Sequence, residues 1–281
     1  MGKSHHLGGG YCQPHVQLRS DTNEVDFNQI VVDDESNLPL MDIARAQGWS
    51  RGGGANAKFI TKGDVRRYTS IGGFRNNTAI KEFTEFRFFT GITQLGNYVF
   101  QNASNLEKIE IPSTCHYFGY QCFGSCNTMK GFEATLPIKT ANQTFICNKL
   151  ARCNSEYVGC IEDKNKGGGE WGTLAVQSPL INTFIYNWEG RPRITTEFER
   201  GVYNTRRIII NTDTFPAVAV STFFTAATNS PSTVVYYSKN TDITPLRQKL
   251  TRCKYAPCDR DKFGNLVLPF RLKKWWEPDT T

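Results

Sequence analysis

The sequence predicts a mainly β fold with short helices, built as a solenoid in which each rung contributes one strand. Two observations predict it. Gly96-x2-Val99-Phe100-x2-Ala103-x2-Leu106-x2-Ile109 is followed, 23 residues on, by Gly119-x2-Cys122-Phe123-x2-Cys126-x2-Met129-x2-Phe132, so six small or apolar positions recur in register. Strand-like triplets then recur at Ile109–Ile111, Phe132–Ala134, Tyr157–Gly159, Phe184–Tyr186, Ile208–Ile210 and Val234–Tyr236, with first residues 23, 25, 27, 24 and 26 apart. A rung that circles a core of fixed girth needs a nearly fixed length of chain, which is what this rhythm supplies.

Within a rung, alternate strand residues point inward, so Ile109 and Ile111 are expected inside and Glu110 outside. Phe100 and Phe123, one per rung, are expected to stack as an aromatic column. Short polar side chains at Asn102-Ala103-Ser104-Asn105 and Ser125-Cys126-Asn127 suit the bends, where they can satisfy backbone groups.

The remaining elements follow in chain order. Residues 1 to about 40 carry Gly8-Gly9-Gly10 and the acidic run Asp33-Asp34-Glu35 with little apolar periodicity, which predicts an extended arm. Its strand-former patch, Ile30-Val31-Val32, is expected to find no local mate and to order against a partner's sheet edge. Leu40, Ile43, Ala44 and Trp49 predict a short amphipathic helix, broken at Arg51-Gly52-Gly53-Gly54. Phe59-Ile60 and Lys62-Gly63-Asp64-Val65 then read as a short strand and a helix start. Residues 41–75 are thus expected as a helical cap, 76–245 as the solenoid, and 246–281 as a C-terminal cap and tail. An inserted surface loop is expected near 163–172, around Gly167-Gly168-Gly169.

Composition narrows the function classes. A chain of 281 residues, 39% hydrophobic and 21% charged, is too apolar for disorder throughout. No apolar run of about 18 residues is present to insert in a membrane. The first residues show no export signal, and His6 stands where a myristoylation pattern needs Ser or Thr. The net charge of +7 is scattered, with Arg66-Arg67, Arg206-Arg207 and Lys273-Lys274 the main doublets, so no nucleic-acid stripe is expected. Nine cysteines, an odd number, read as buried free thiols. Cys122-x3-Cys126 and Cys253-x4-Cys258 lack the partners of a zinc knuckle, and no metal is expected there.

Phe88-Phe89-Thr90-Gly91-Ile92-Thr93-Gln94-Leu95-Gly96-Asn97-Tyr98-Val99-Phe100 and Asn105-Leu106-Glu107-Lys108-Ile109-Glu110-Ile111-Pro112 resemble the repeat of the BspA-like leucine-rich repeat family of gut and oral anaerobes, certain protists and phages of such bacteria. The resemblance covers residues 76 to 137 and implies a leucine-rich-repeat-like solenoid, to which the composition adds an N-terminal extended arm and the apolar pattern a small helical cap. The segment ending in Gly48-Trp49, with Phe74-Arg75-Asn76-Asn77 and Phe83-Thr84-Glu85-Phe86, also resembles what often precedes these repeats. In many relatives the loop between them is calcium-binding. Here Ser50–Asn56 holds no carboxylate, so the resemblance carries over the shape and not the calcium. Thr214-Phe215-Pro216, Phe223-Phe224, Thr233–Tyr237 and Leu246–Leu250 look like a closing rung and cap.

Catalytic signals are absent from the sequence, and no cofactor or catalytic residue is expected. Nucleophile-elbow, phosphate-loop, zincin and dinucleotide patterns are missing. Of four histidines only His116 falls near the repeats, and its neighbour Cys115 on a strand would point to the opposite face. Glu197-x-Glu199 and Asp33-Asp34-Glu35 read as solvated acidic clusters. The expected partner-docking residues are Ile30, Val31 and Val32, together with the paired Trp275 and Trp276 near the end of the sequence, where a cap on the last rung is the plainer alternative. The function expected is a non-catalytic structural or binding protein, foremost a bacteriophage virion component made in a bacterial cytoplasm. It would contact other virion proteins, sister subunits, or a host surface protein or glycan. A bacterial or protist cell-surface adhesin is the alternative, and an intracellular interaction protein a third reading.

Overall fold

A computed structural model describes residues 27–135, 137–163, 172, 175–187, 205–213 and 229–279. Strands dominate, and short helices sit at the start and near the end. The expected loop near 163–172 and the expected closing-rung residues Thr214–Pro216 and Phe223-Phe224 lie almost wholly outside the described residues, as do Gly8–Gly10, Cys12 and Glu197-x-Glu199.

The first element corrects the arm. β1 (Ile30–Asp33) pairs antiparallel with β2 (Phe59–Thr61), through Val32 opposite Ile60 and Asp33 opposite Phe59. Ile30-Val31-Val32 therefore has a local mate, supplied from beyond a helix rather than by a tight turn. That helix, α1 (Asp34–Ala46), starts earlier than Leu40 because Asp33 and Ser36 form a reciprocal capping box. The chain kinks at Asn37, whose side chain accepts from the Leu40 N–H at 3.2 Å and restarts the helix with Pro39 in its first turn, where a missing N–H costs nothing. The expected start at Leu40 is thus the second of two starts. Arg45 fastens the helix through Asp34 and the Ala57 carbonyl.

Thr61 caps α2 (Lys62–Val65) by the same device, paired with Asp64. A 3-10 turn follows β3 (Glu82–Phe83), and from there the chain coils. One ladder contains β3 and β5 (Lys108–Ile109), a second contains β4 (Gln94–Leu95), β6 (Tyr117–Phe118) and β8 (Lys139–Thr140), and a third joins β9 (Phe145–Ile146) to β12 (Val176–Gln177). All are parallel. Strands two residues long leave most rung contacts to bends. There Phe100 N–H donates to Cys122 O, Phe123 N–H to Thr144 O and Phe145 N–H to Ala175 O, each one rung on. The bends require left-handed backbone at Tyr98, Gln121 and Gln143, two residues before each core Phe.

Inside these rungs Phe100 and Phe123 stack as expected, and Phe74 and Phe145 extend the column at either end. Ring centroids lie 4.9, 5.2 and 5.2 Å apart, and the last two pairs are within 4° and 7° of parallel. Trp49 closes the column at the α1 end, 6.2 Å from Phe74. Ile109 departs from expectation: Ile111 is buried, but Ile109 only half so, and Glu110 is ion-paired with Arg87 at 2.5 Å.

The largest sheet among the described residues has seven parallel strands, β7 (Gly131–Phe132), β10 (Arg152–Cys153), β11 (Cys160–Asp163), β13 (Thr183–Tyr186), β14 (Arg207–Ile210), β15 (Val234–Ser238) and β16 (Lys254–Cys258), in that spatial order. Tyr157–Gly159 is not a strand, contrary to the rhythm. Arg152 pairs with Gly131 and Cys160 pairs with Arg152, so this sheet gains two strands within one stretch of chain. Gly159, left-handed at φ +78°, makes the return, and its N–H bonds Ala151 O. The connection can be short because β10 is itself two residues long. The solenoid also runs further than residue 245. After α3 (Thr244–Lys249) the chain adds β16 rather than ending in a tail. Lys254 and Pro257 lie exposed on this outermost strand, residues that discourage a further strand from adding.

Among the described residues no helix is long and apolar enough to cross a membrane.

Candidate functional site

His116 and the cysteines come first, because they hold the only thiol and imidazole groups among the described residues. Cys115 is buried, while the His116 ring turns outward, its Nδ1 3.1 Å from the Thr135 carbonyl, so no thiol–imidazole pair forms. The eight described cysteines are buried, and none of them forms a disulfide. Burial pushes the thiols of Cys115, Cys126 and Cys160 up to about 12, and those of Cys122 and Cys147 well upward as well. Cys126 and Cys147 each donate Sγ–H to the backbone oxygen of a core Phe one rung earlier, Phe100 and Phe123, at 3.0 Å. These are packing residues, protonated at neutral pH and poor nucleophiles.

The loop Ser50–Asn56 is organised by Asp64. One carboxylate oxygen accepts from the Arg51 N–H at 3.0 Å, the other from the Thr61 N–H and hydroxyl at 3.0 and 2.8 Å. Burial alone would raise its pKa, but these hydrogen bonds outweigh it and hold the carboxyl below its ordinary range. Among the described residues no group of three or more His, Cys, Asp or Glu gathers as a metal site.

Two surfaces remain, and each contains residues singled out from the sequence. At the α1 end, Ile30 is 50% exposed, Val31 half-buried and Val32 buried, so only Ile30 of the three faces outward. It is joined by Phe27 and Phe59, 55% and 46% exposed, which sequence reasoning missed. Both line an open depression of about 490 Å³ with Ser50, Arg51 and Asp64. Gly63 permits the arrangement: a Cβ there would fall 2.9 Å from the Phe27 carbonyl oxygen and 3.1 Å from its ring. Arg66 lies 4.9 Å over the same ring.

On the large sheet, Trp275 and Trp276 are half-buried, edge-on at 5.7 Å, and neither projects freely. Arg152 lies 4.7 Å beneath Trp275, and the Trp275 N–H bonds Glu156 O. Arg152 has room because Gly131, its neighbour in the adjacent strand, lacks a side chain: a Cβ there would meet Arg152 Nε at 2.7 Å. The guanidinium is held in turn by Glu133 at 2.8 Å. Trp275 therefore packs back as a cap, but on β10 rather than on the last rung, and Trp276 meets it edge-on with Lys274 over its ring.

What leads to them was not expected. Leu266, Leu268, Phe270 and Leu272 lie over a second apolar cluster formed by Cys160, Ile185, Ile209, Tyr236 and Cys258 on the outer face of the sheet. Burial alternates along the segment, with Val267, Pro269 and Arg271 exposed between them, but the sequence Leu266-Val267-Leu268-Pro269-Phe270-Arg271-Leu272 does not alternate apolar with polar and so carries no clear signal.

No curated protein and no solved structure matches the chain. Residues 69–158, about a third of the chain, match the family model of the BspA type leucine rich repeat region in six copies, which supports the BspA-like repeat family for that stretch and accords with its leucine-rich-repeat-like solenoid.

Proposed function

We propose that the protein is a non-catalytic binding module, in which a rigid solenoid presents apolar and arginine-rich surface to a macromolecular partner. The repeat family suggests binding or adhesion. The observation that carries the reading is the pair Phe27 and Phe59, about half exposed and lining the Arg51 depression, because exposed aromatic and arginine clusters of this kind are the usual anchors of protein interfaces.

The finer assignment we put forward is a bacteriophage virion component contacting other virion proteins or sister subunits. A cell-surface adhesin is equally compatible with the repeats, which are shared by surface proteins and by phages of the same bacteria. An antiserum against the chain, applied to density-gradient fractions of a producing culture, separates the readings. Recovery with particles supports the virion assignment, and recovery with cell envelopes supports the adhesin. Recovery in the soluble fraction alone refutes both. Phe59→Asp is expected to reduce recovery in the particle or envelope fraction without changing the melting temperature of the purified chain.

A further inference from the structure

After β16 the chain turns back over the sheet it has just completed. The turn is a small hairpin, with Arg260 bridged to Leu266, Gly264 left-handed at φ +85°, and Arg260 anchored on Asp213 at 2.6 Å. The chain then crosses the strands at a steep angle, from the β16 edge toward β10. Residues 266–272 at ~3.3 Å each reach roughly 20 Å, close to the ~19 Å from β16 to β11 at ~4.8 Å per strand.

The grip of this strap is unlike that of the rungs. Among the described residues its main chain is bonded only near its ends, through Val267 N–H to Asp259 O, Val158 N–H to Lys273 O and Trp275 N–H to Glu156 O. Between them it holds by side chains. Phe270 meets Tyr236 edge-on at 4.9 Å and lies 4.4 Å from the Arg207 guanidinium. Leu266, Leu268, Phe270 and Leu272 are each only partly buried, whereas Ile185, Ile209 and Cys160 beneath them are buried to 2% exposure or less. The covered face belongs to the sheet, its strands complete without the strap. The cover is an extended segment that meets the sheet through alternate side chains, without the ladder of main-chain bonds that an added edge strand would make.

We propose that residues 266–272 are a displaceable strap, and that the outer face of the sheet is a docking groove for a partner's extended segment with apolar side chains at alternate positions. The strap occupies this groove in cis and must be displaced before a partner enters. This rests on the binding-module reading and names a second surface for it.

Two thiols beneath the strap, Cys160 and Cys258, make the test direct, because Cys122 and Cys147 in the main core serve as internal references. In the full-length chain, the native rate of thiol modification is followed residue by residue by mass spectrometry. Cys160 and Cys258 are expected to react through local opening, well ahead of Cys122 and Cys147. The double variant Leu268→Asp/Phe270→Asp is expected to speed their reaction roughly tenfold or more while leaving Cys122, Cys147 and the melting temperature unchanged. A fluorescent peptide with the sequence of residues 264–279 is expected to bind that variant saturably and to bind the unaltered chain roughly tenfold more weakly, since the cis strap competes. Reaction of all four thiols at one common rate in both chains, or a folded variant that binds no peptide, overturns the proposal. So does a variant whose cores open together, because the strap is then part of the fold. A chain that still reaches its particle or envelope fraction under any of these results keeps the binding function and loses only the strap.

Discussion

Phe123→Ala probes the solenoid at its centre. The ring is fully buried and lies between Phe100 and Phe145 at 5.2 Å on each side, with Phe132 at 5.5 Å. Truncating a buried Phe to Ala typically costs about 3–5 kcal/mol. The two near-parallel contacts, worth about 0.5–1.5 kcal/mol each beyond area burial, place this site toward the upper end. Against a total of roughly 5–15 kcal/mol for a domain, that is a large fraction. Phe123→Leu keeps most of the volume, loses the stacking, and is expected to cost about 1.5 kcal/mol. Phe123→Asp adds a buried unpaired carboxylate and is expected to unfold the repeats, while Ile109→Asp, at a half-buried position, costs less. Urea denaturation followed by circular dichroism reads all four. Rungs contact only their neighbours, so cutting one interface mid-array is also expected to separate unfolding into two transitions. A loss below about 1 kcal/mol for Phe123→Ala, or equal losses for Leu and Ala, refutes the stacked column as a source of stability.

Four further outcomes follow from the α1 end. Asp64→Ala is expected to cost about 2 kcal/mol by stranding the Arg51 and Thr61 donors. Because the folded pKa of Asp64 lies below its ordinary 3.8, its contribution is complete at neutral pH and is lost as pH falls through 3.8 toward the lowered value, so Asp64→Asn should flatten the acid limb of a stability–pH curve. Millimolar calcium is expected to leave the melting temperature unchanged, since a ligand bound only by the native state must raise it; a rise abolished by chelator would show a site. A chain beginning at residue 34 loses β1 and the Asp33 cap, and should melt below one beginning at residue 27. Equal melting of the two would mean that the β1–β2 pair adds nothing.

The repeat phase was legible because it is written in side chains. Gly119, whose Cβ would fall 2.5 Å from the Gly96 backbone, the rings of Phe100 and Phe123, and the small Ala103 and Cys126 each answer a steric demand inside the rung, so spacing alone located the column. Pairing was less legible. Ile30–Val32 and Phe59-Ile60 were each readable as strands, but nothing local says that they meet across a 13-residue helix. Tyr157–Gly159 was misplaced because an even rhythm hides the short return between β10 and β11. The strap was not legible, because Val267 and Pro269 break the alternation of apolar with polar around Leu266, Leu268, Phe270 and Leu272, and alternation in any case does not say which surface covers a chain. The docking role expected for Trp275 and Trp276 rested on exposure, and Arg152 removes much of it.

The column and the large sheet divide the labour of cohesion along the chain. From β3 to β10 the strands are two residues long, and main-chain hydrogen bonds at the bends join successive rungs together with the stacked rings. From Cys160 onward the strands of the large sheet lengthen to four or five residues, and the residue paired with Phe145 is Val176 rather than another aromatic. Hydrogen bonds between main chains are blind to which β-forming side chain stands at a position, whereas a stacked ring admits almost no substitute. A stacked ring therefore writes its demand into the sequence and a main-chain bond does not, and the family match ends at residue 158, close to where the strands lengthen. Later rungs of the same coil can lose all trace of common ancestry without losing the coil.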